Sequence, residues 1–99
     1  MKYLTIHHMD GDADELLHQK QEKFDPVVNR LAGTYGALFS ITAKADQGLI
    51  VINVWESAEA AAEFSRLSEI VQAQRRSGLP LPSCFERYPD AYLDVYHQS

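Results

Sequence analysis

The sequence predicts an α+β fold, a β-α-β-β-α-β chain whose strands make one antiparallel sheet with the helices on one of its faces. Three observations lead there. Apolar and polar residues alternate over 3–9, 35–44 and 83–88; a run at 49–56 is apolar on nearly every residue; and stretches with apolar residues every three or four positions fill 13–31 and 57–78.

The first strand, YLTIHHM, sets Leu4, Ile6 and His8 on one face and Tyr3, Thr5, His7 and Met9 on the other. DGDADE ends it. Asp12 with Glu15 three residues later resembles a capping box, and Asp14 and Glu15 suit the positive end of a helix, which is expected from near Ala13. This place at a helix start accounts for the acidic cluster without a catalytic role. Leu16, Leu17, Phe24, Val27, Val28 and Leu31 form the buried stripe, while Lys20 falls on the same face and is expected to carry its ammonium out to water. Pro26 has no N–H to donate, so a break is expected near Asp25, with Asp25 capping a short second piece and Gly33 ending it.

The second strand, Tyr35 to Lys44, alternates Ala37, Phe39, Ile41 and Ala43 with Leu38, Ser40, Thr42 and Lys44. ADQG turns the chain into the third strand, Leu49 to Glu56. There Ile50, Ile52 and Val54 share one face and Leu49, Val51, Asn53 and Trp55 the other, so both faces are expected to be covered. Ser57 is an N-cap for a helix whose stripe of Ala61, Phe64, Leu67 and Val71 is expected to run unbroken to Gly78. LPLP cannot continue it; SCFERY reads as the fourth strand and PDAYLDVYHQS as a turn and a short extended tail. Tyr88, Tyr92 and Tyr96 are expected to pack at a dimer edge, with aromatic bodies buried and hydroxyls wet.

This order is the ferredoxin-like pattern, spread over one domain, residues 1–99, without repeat or linker. Helices on one face leave the other bare, and the two-sided apolar third strand makes a second copy of the chain the expected cover. A homodimer also suits a chain of 99 residues, which buries only about 60–70% of its unfolded surface alone.

Composition narrows the partners. A net charge of −5 with nine scattered Lys and Arg argues against nucleic acid and anionic membrane. The single cysteine, Cys84, excludes an internal disulfide, and no apolar run approaches a membrane span, so the cytoplasm is the expected compartment. GTYG lacks the lysine and length of a phosphate loop, and there is no G-x-S-x-G elbow. His7 and His8 point to opposite faces of their strand and cannot grip one ion together, so neither a metal nor another cofactor is expected.

In its order of elements, its Gly48 at the hairpin turn, and its VINVWES segment followed by an alanine-rich helix with Phe64, the chain resembles the dimeric α+β barrel proteins that include the antibiotic biosynthesis monooxygenases. The resemblance implies two ferredoxin-like chains packed sheet to sheet, each with a small-molecule cavity between its own sheet and helices. It also implies oxidation of an aromatic or quinol-type substrate by dioxygen without metal, flavin or haem, with Asn53 and Trp55 lining the cavity. Haem-degrading relatives carry a histidine on the second helix; Ala58 to Ser77 has none, which argues against haem.

Two roles are open to Trp55: core filling beneath the second helix, or one wall of a cavity. Asn53 shares its face, and an amide among Leu49 and Val51 must find partners in backbone or ligand. With Phe64 these are the expected substrate-binding residues, and His7, on the more polar face of the first strand, is the expected catalytic base. The competing expectation is a non-enzymatic dimer that binds a metabolite or a protein through the same cavity. An apolar cavity with both strand histidines in solvent would favour that reading.

Overall fold

A computed structural model describes residues 1–96. Four strands, β1 (Lys2–Asp10), β2 (Ala37–Ala45), β3 (Gly48–Trp55) and β4 (Cys84–Ala91), form one sheet in the order β2-β3-β1-β4, every neighbouring pair antiparallel. This is the ferredoxin-like order, with the two most buried strands at the centre. Among the described residues, no helix is long and apolar enough to cross a membrane.

Helix α1 (Ala13–Gln19) starts as its sequence predicts: the Asp12 carboxylate accepts from the Glu15 N–H at 3.0 Å. Beyond it the chain departs from expectation. Pro26 does not break the helix, because a π turn, Lys20–Phe24, carries the chain directly into α2 (Asp25–Leu31), where Pro26 occupies the tolerant first turn. Asp25 is therefore not a cap. Its carboxylate instead accepts from the Lys20 ammonium at 2.8 Å, and Lys20, expected to reach water, is buried around that pair. A buried ammonium needs such a partner. The helix ends later than Gly33: a 3₁₀ turn, Ala32–Tyr35, follows, and Gly36 closes it in the left-handed region at φ 93°. The second strand accordingly begins at Ala37 rather than Tyr35.

The expected single helix from Ser57 to Gly78 is two helices, α3 (Ala58–Ser65) and α4 (Ser68–Ser77). Ser57 caps the first as expected, accepting from the Ala60 N–H at 3.0 Å. Ser65 then donates its hydroxyl to the Ala62 carbonyl at 2.8 Å, and the Arg66 and Leu67 amides turn back three residues to Glu63 and Phe64. Leu67 is extended, at ψ 133°. A serine hydroxyl competing for backbone carbonyls, followed by an extended residue, is a local reason for the break that apolar spacing does not register. Gly78 ends α4 in the left-handed region as predicted.

The fourth strand runs through Pro89 to Ala91 instead of turning there. A proline is tolerated because β4 lies at the sheet edge and one side of it needs no ladder hydrogen bond. Tyr92 and Tyr96 are exposed in the chain taken alone, and the last part of the expected tail, 97–99, lies outside the described residues.

Strand faces follow the sequence alternation. Leu49, Val51 and Trp55 are buried towards the helices with Met9 and Thr5 of β1, while Leu4, Ile6, Ile50 and Ile52 stand on the opposite face, half-buried. Val54 on that outer face is buried, but towards β2 the face is bare within the described chain, with Phe39 41% and Ile41 45% exposed. Gly48 at the start of β3 lies against β1 at φ 153°, where a β-carbon would overlap the Met9 carbonyl oxygen. Only glycine permits that approach.

Candidate functional site

The core on the helical side is divided. Met9, Leu16, Leu49, Val51 and Leu79 form one buried cluster and Trp55, Phe64 and Ile70 another. Between them lies a cavity of about 1290 Å³, lined by members of both. Helix α4 packs mainly on α2 and the π turn rather than on the sheet, which leaves this space open beneath it.

Strand register sets the cavity floor in transverse rows. Phe85, His7, Val51 and Thr42 are successive cross-strand neighbours; the next row is Arg87, Thr5, Asn53 and Ser40. Tyr3 and Trp55 pair beyond them. All these residues line the cavity, and Phe64 faces them from α3. The four residues singled out from sequence, His7, Asn53, Trp55 and Phe64, thus border one space. Trp55 takes both roles that were open to it: its ring is buried 5.1 Å from that of Phe64, centroid to centroid, and it forms part of the wall.

His7 stands 4.6 Å from the Phe85 ring, and burial pushes its imidazole below the ordinary value of 6.5, which favours the neutral form. Neither its side chain nor that of Asn53 has a hydrogen-bond partner within the described chain, so both have capacity for a ligand. Because Asn53 pairs with Thr5, His7 is its diagonal neighbour, at roughly 7–8 Å between backbones. A substituted ring spans such a gap.

Several residues of this site were not singled out from the sequence. Arg87 lies over the Phe85 ring at 4.8 Å and, like Arg75 on α4, lines the cavity without a carboxylate in ion-pair range among the described residues. Thr5 is 3% exposed, and its hydroxyl is a buried polar group without a hydrogen-bond partner. Nothing in a single strand's alternation signals this row, because it exists only once three strand pairings are in register.

His8 is on the other face, as alternation requires. Its Nε2 lies 2.9 Å from Glu86 Oε1, and the Tyr88 hydroxyl donates to Glu86 Oε2 at 2.6 Å. The Tyr88 and then the His8 hydrogen bonds hold the Glu86 carboxyl below the usual carboxylate range, and Glu86 in turn raises Tyr88.

No protein-family model matches the sequence, and no curated protein matches it. Solved structures share its fold. A candidate antibiotic biosynthesis monooxygenase from Chloroflexus aurantiacus J-10-fl superposes with a TM-score of 0.67 at 16% identity, over 96% of this chain and 98% of that one. A dimeric protein of unknown function and ferredoxin-like fold from Bacteroides fragilis NCTC 9343 gives 0.58 at 11% identity, over 90% and 94%. An asparagine-to-alanine variant of SnoaB, a cofactor-independent oxygenase from Streptomyces nogalater, gives 0.59 at 12% identity, over 98% and 96%.

Proposed function

We propose that the protein is a homodimer whose cavity binds a phenol- or quinol-type aromatic compound and oxygenates it with dioxygen without a cofactor. The observation that carries the reading is the placement of His7 in the cavity. A half-buried imidazole biased towards its neutral form shares one lined space with an unpartnered amide and two aromatic walls. Had both strand histidines faced solvent, a passive binder would be the better reading.

His7 removes the phenolic proton, and Asn53 donates to the oxyanion that results. Trp55 and Phe64 hold the ring in an apolar setting. The electron-rich anion then reduces dioxygen: one oxygen atom bonds to a ring carbon, the other leaves as water, and a phenol becomes a quinone, with all electrons supplied by the ring. The cavity exceeds the roughly 300–1,000 Å³ of ordinary small-ligand sites, which suits a multi-ring substrate. Dimerisation through the outer sheet face is supported by the bare apolar surface there and by the dimeric protein of the same fold.

Trp55 is the only tryptophan, so its emission reports this site. A bound hydroxylated polycyclic should quench it saturably, with quinone formation matched to oxygen uptake. Asn53→Ala should weaken binding by about 1–2 kcal/mol, the loss of one ligand hydrogen bond. His7→Gln should keep quenching and lose turnover. Saturable quenching with no oxygen uptake by the wild type would leave the non-enzymatic binder standing, and unchanged emission across a broad panel of phenols and quinols would remove the ligand reading altogether.

A further inference from the structure

The outer face of the sheet brings together three groups of different chemistry. His8 and Cys84 are direct cross-strand partners between β1 and β4, and Glu86, two residues along β4, stands on the same face. One ligand-type atom from each, an imidazole nitrogen, the sulfur and a carboxylate oxygen, lies within 4.8 Å of the others. We propose that these three residues bind a divalent transition-metal ion of the zinc class, at a site separate from the cavity and independent of the oxygenase reading.

Nitrogen, thiolate and carboxylate together are the donor set of a borderline-soft ion, not of magnesium or calcium. The His8 Nε2 to Glu86 Oε1 separation is 2.9 Å. An ion at ordinary bond lengths of about 2.0–2.2 Å can replace the proton between them at a bond angle near 90°, and opening the pair by about half an ångström makes the angle tetrahedral. Cys84, on the edge strand β4, is exposed in the chain taken alone, so its side chain has room to turn the sulfur inwards. Tyr88 already holds the other carboxylate oxygen at 2.6 Å, the outer-shell hydrogen bond that orients a carboxylate ligand. Binding releases the thiol proton and moves the imidazole proton from Nε2 to Nδ1, so that histidine binds as the neutral ring, and water completes four-coordination. Adjacent strand histidines cannot chelate one ion; a histidine with two residues of the neighbouring strand can.

The test is a cobalt titration of the intact, tag-free protein, stripped with chelator and kept reduced by a non-chelating phosphine. One equivalent of Co²⁺ should produce a thiolate-to-cobalt charge-transfer band and the intense visible bands of a four-coordinate centre, and Zn²⁺ should bleach both. Cys84 is the only cysteine, so the charge-transfer band reports this site alone. Cys84→Ser should abolish it. Tyr88→Phe, which keeps all three ligands, should lower cobalt affinity about tenfold, and His8→Ala and Glu86→Gln should lower it further. Circular dichroism establishes that each variant is folded, and should one fail to fold, the wild-type spectrum still decides. Absence of the band at excess cobalt would overturn the proposal, as would a band whose affinity is the same in folded His8→Ala and Glu86→Gln, the sign of an isolated thiolate picking up metal.

Discussion

The two faces of the sheet are made from the same four strands and fare differently. The inner face meets helices, yet its covering is incomplete: α1 and α3 pack against it, α4 stands off, and a cavity with a polar row across its floor remains. The outer face leaves Phe39 and Ile41 exposed and Leu4, Ile6, Ile50 and Ile52 half-buried within the described chain. The difference teaches that burial demand and binding capacity are separate properties. The inner face keeps polar groups because a ligand or water can answer them; the outer face, save for its His8–Cys84–Glu86 corner, presents side chains suited to another apolar surface.

The sharpest way to break the comparison is to remove the sheet that both faces share. Gly48→Ala puts a methyl group onto the Met9 carbonyl at the junction of β1 and β3, with no flexible side chain to give way. It should cost more than about 4 kcal/mol, read as loss of soluble protein or of the unfolding transition.

Ile52→Asp tests the outer face alone. Its side chain points away from the cavity, so a monomer should tolerate it, while in a dimer it buries a charge in each copy and should weaken association by about 3 kcal/mol or more. Light scattering should show the mass fall from two chains to one with ligand quenching retained. A wild type that is monomeric at micromolar concentration would refute the dimer directly.

His7 sharpens the inner side. Its folded pKa lies below the ordinary 6.5, so below that value the unfolded chain binds the proton more readily and stability falls as pH drops. Its contribution is complete above 6.5 and is lost as pH falls through the depressed value. His7→Gln should therefore lose less stability than the wild type between neutral and mildly acidic pH, measured by urea denaturation. Equal losses would mean that His7 is not buried in solution.

Thr5→Val should have the smallest effect. Replacing an unpartnered buried hydroxyl with a methyl removes an uncompensated polar group, and stability should rise by about 1 kcal/mol. A fall would show that the hydroxyl has a partner in solution, and a loss of ligand affinity would place that partner in the cavity.

Much of this arrangement is legible in the chain's own periodicities. Which residues share a strand face, where Asp12 and Ser57 cap helices, that the third strand is apolar on both sides and that Gly78 ends a helix are matters of neighbours a few positions apart, and local backbone geometry settles them. The helix interruptions were less legible, since the π turn is spanned by a buried Lys20–Asp25 pair and the break at Leu67 follows a serine hydroxyl that competes with the ladder, neither of which apolar spacing registers. Tertiary structure alone decided the rest. Arg87 and Thr5 join Asn53 in one row, and His8 meets Cys84 and Glu86, only because β4 returns beside β1 after some eighty residues and locks in one register. A slip of one residue would send Arg87 to the outer face and Glu86 into the cavity, and neither strand's sequence states which alignment the other will accept.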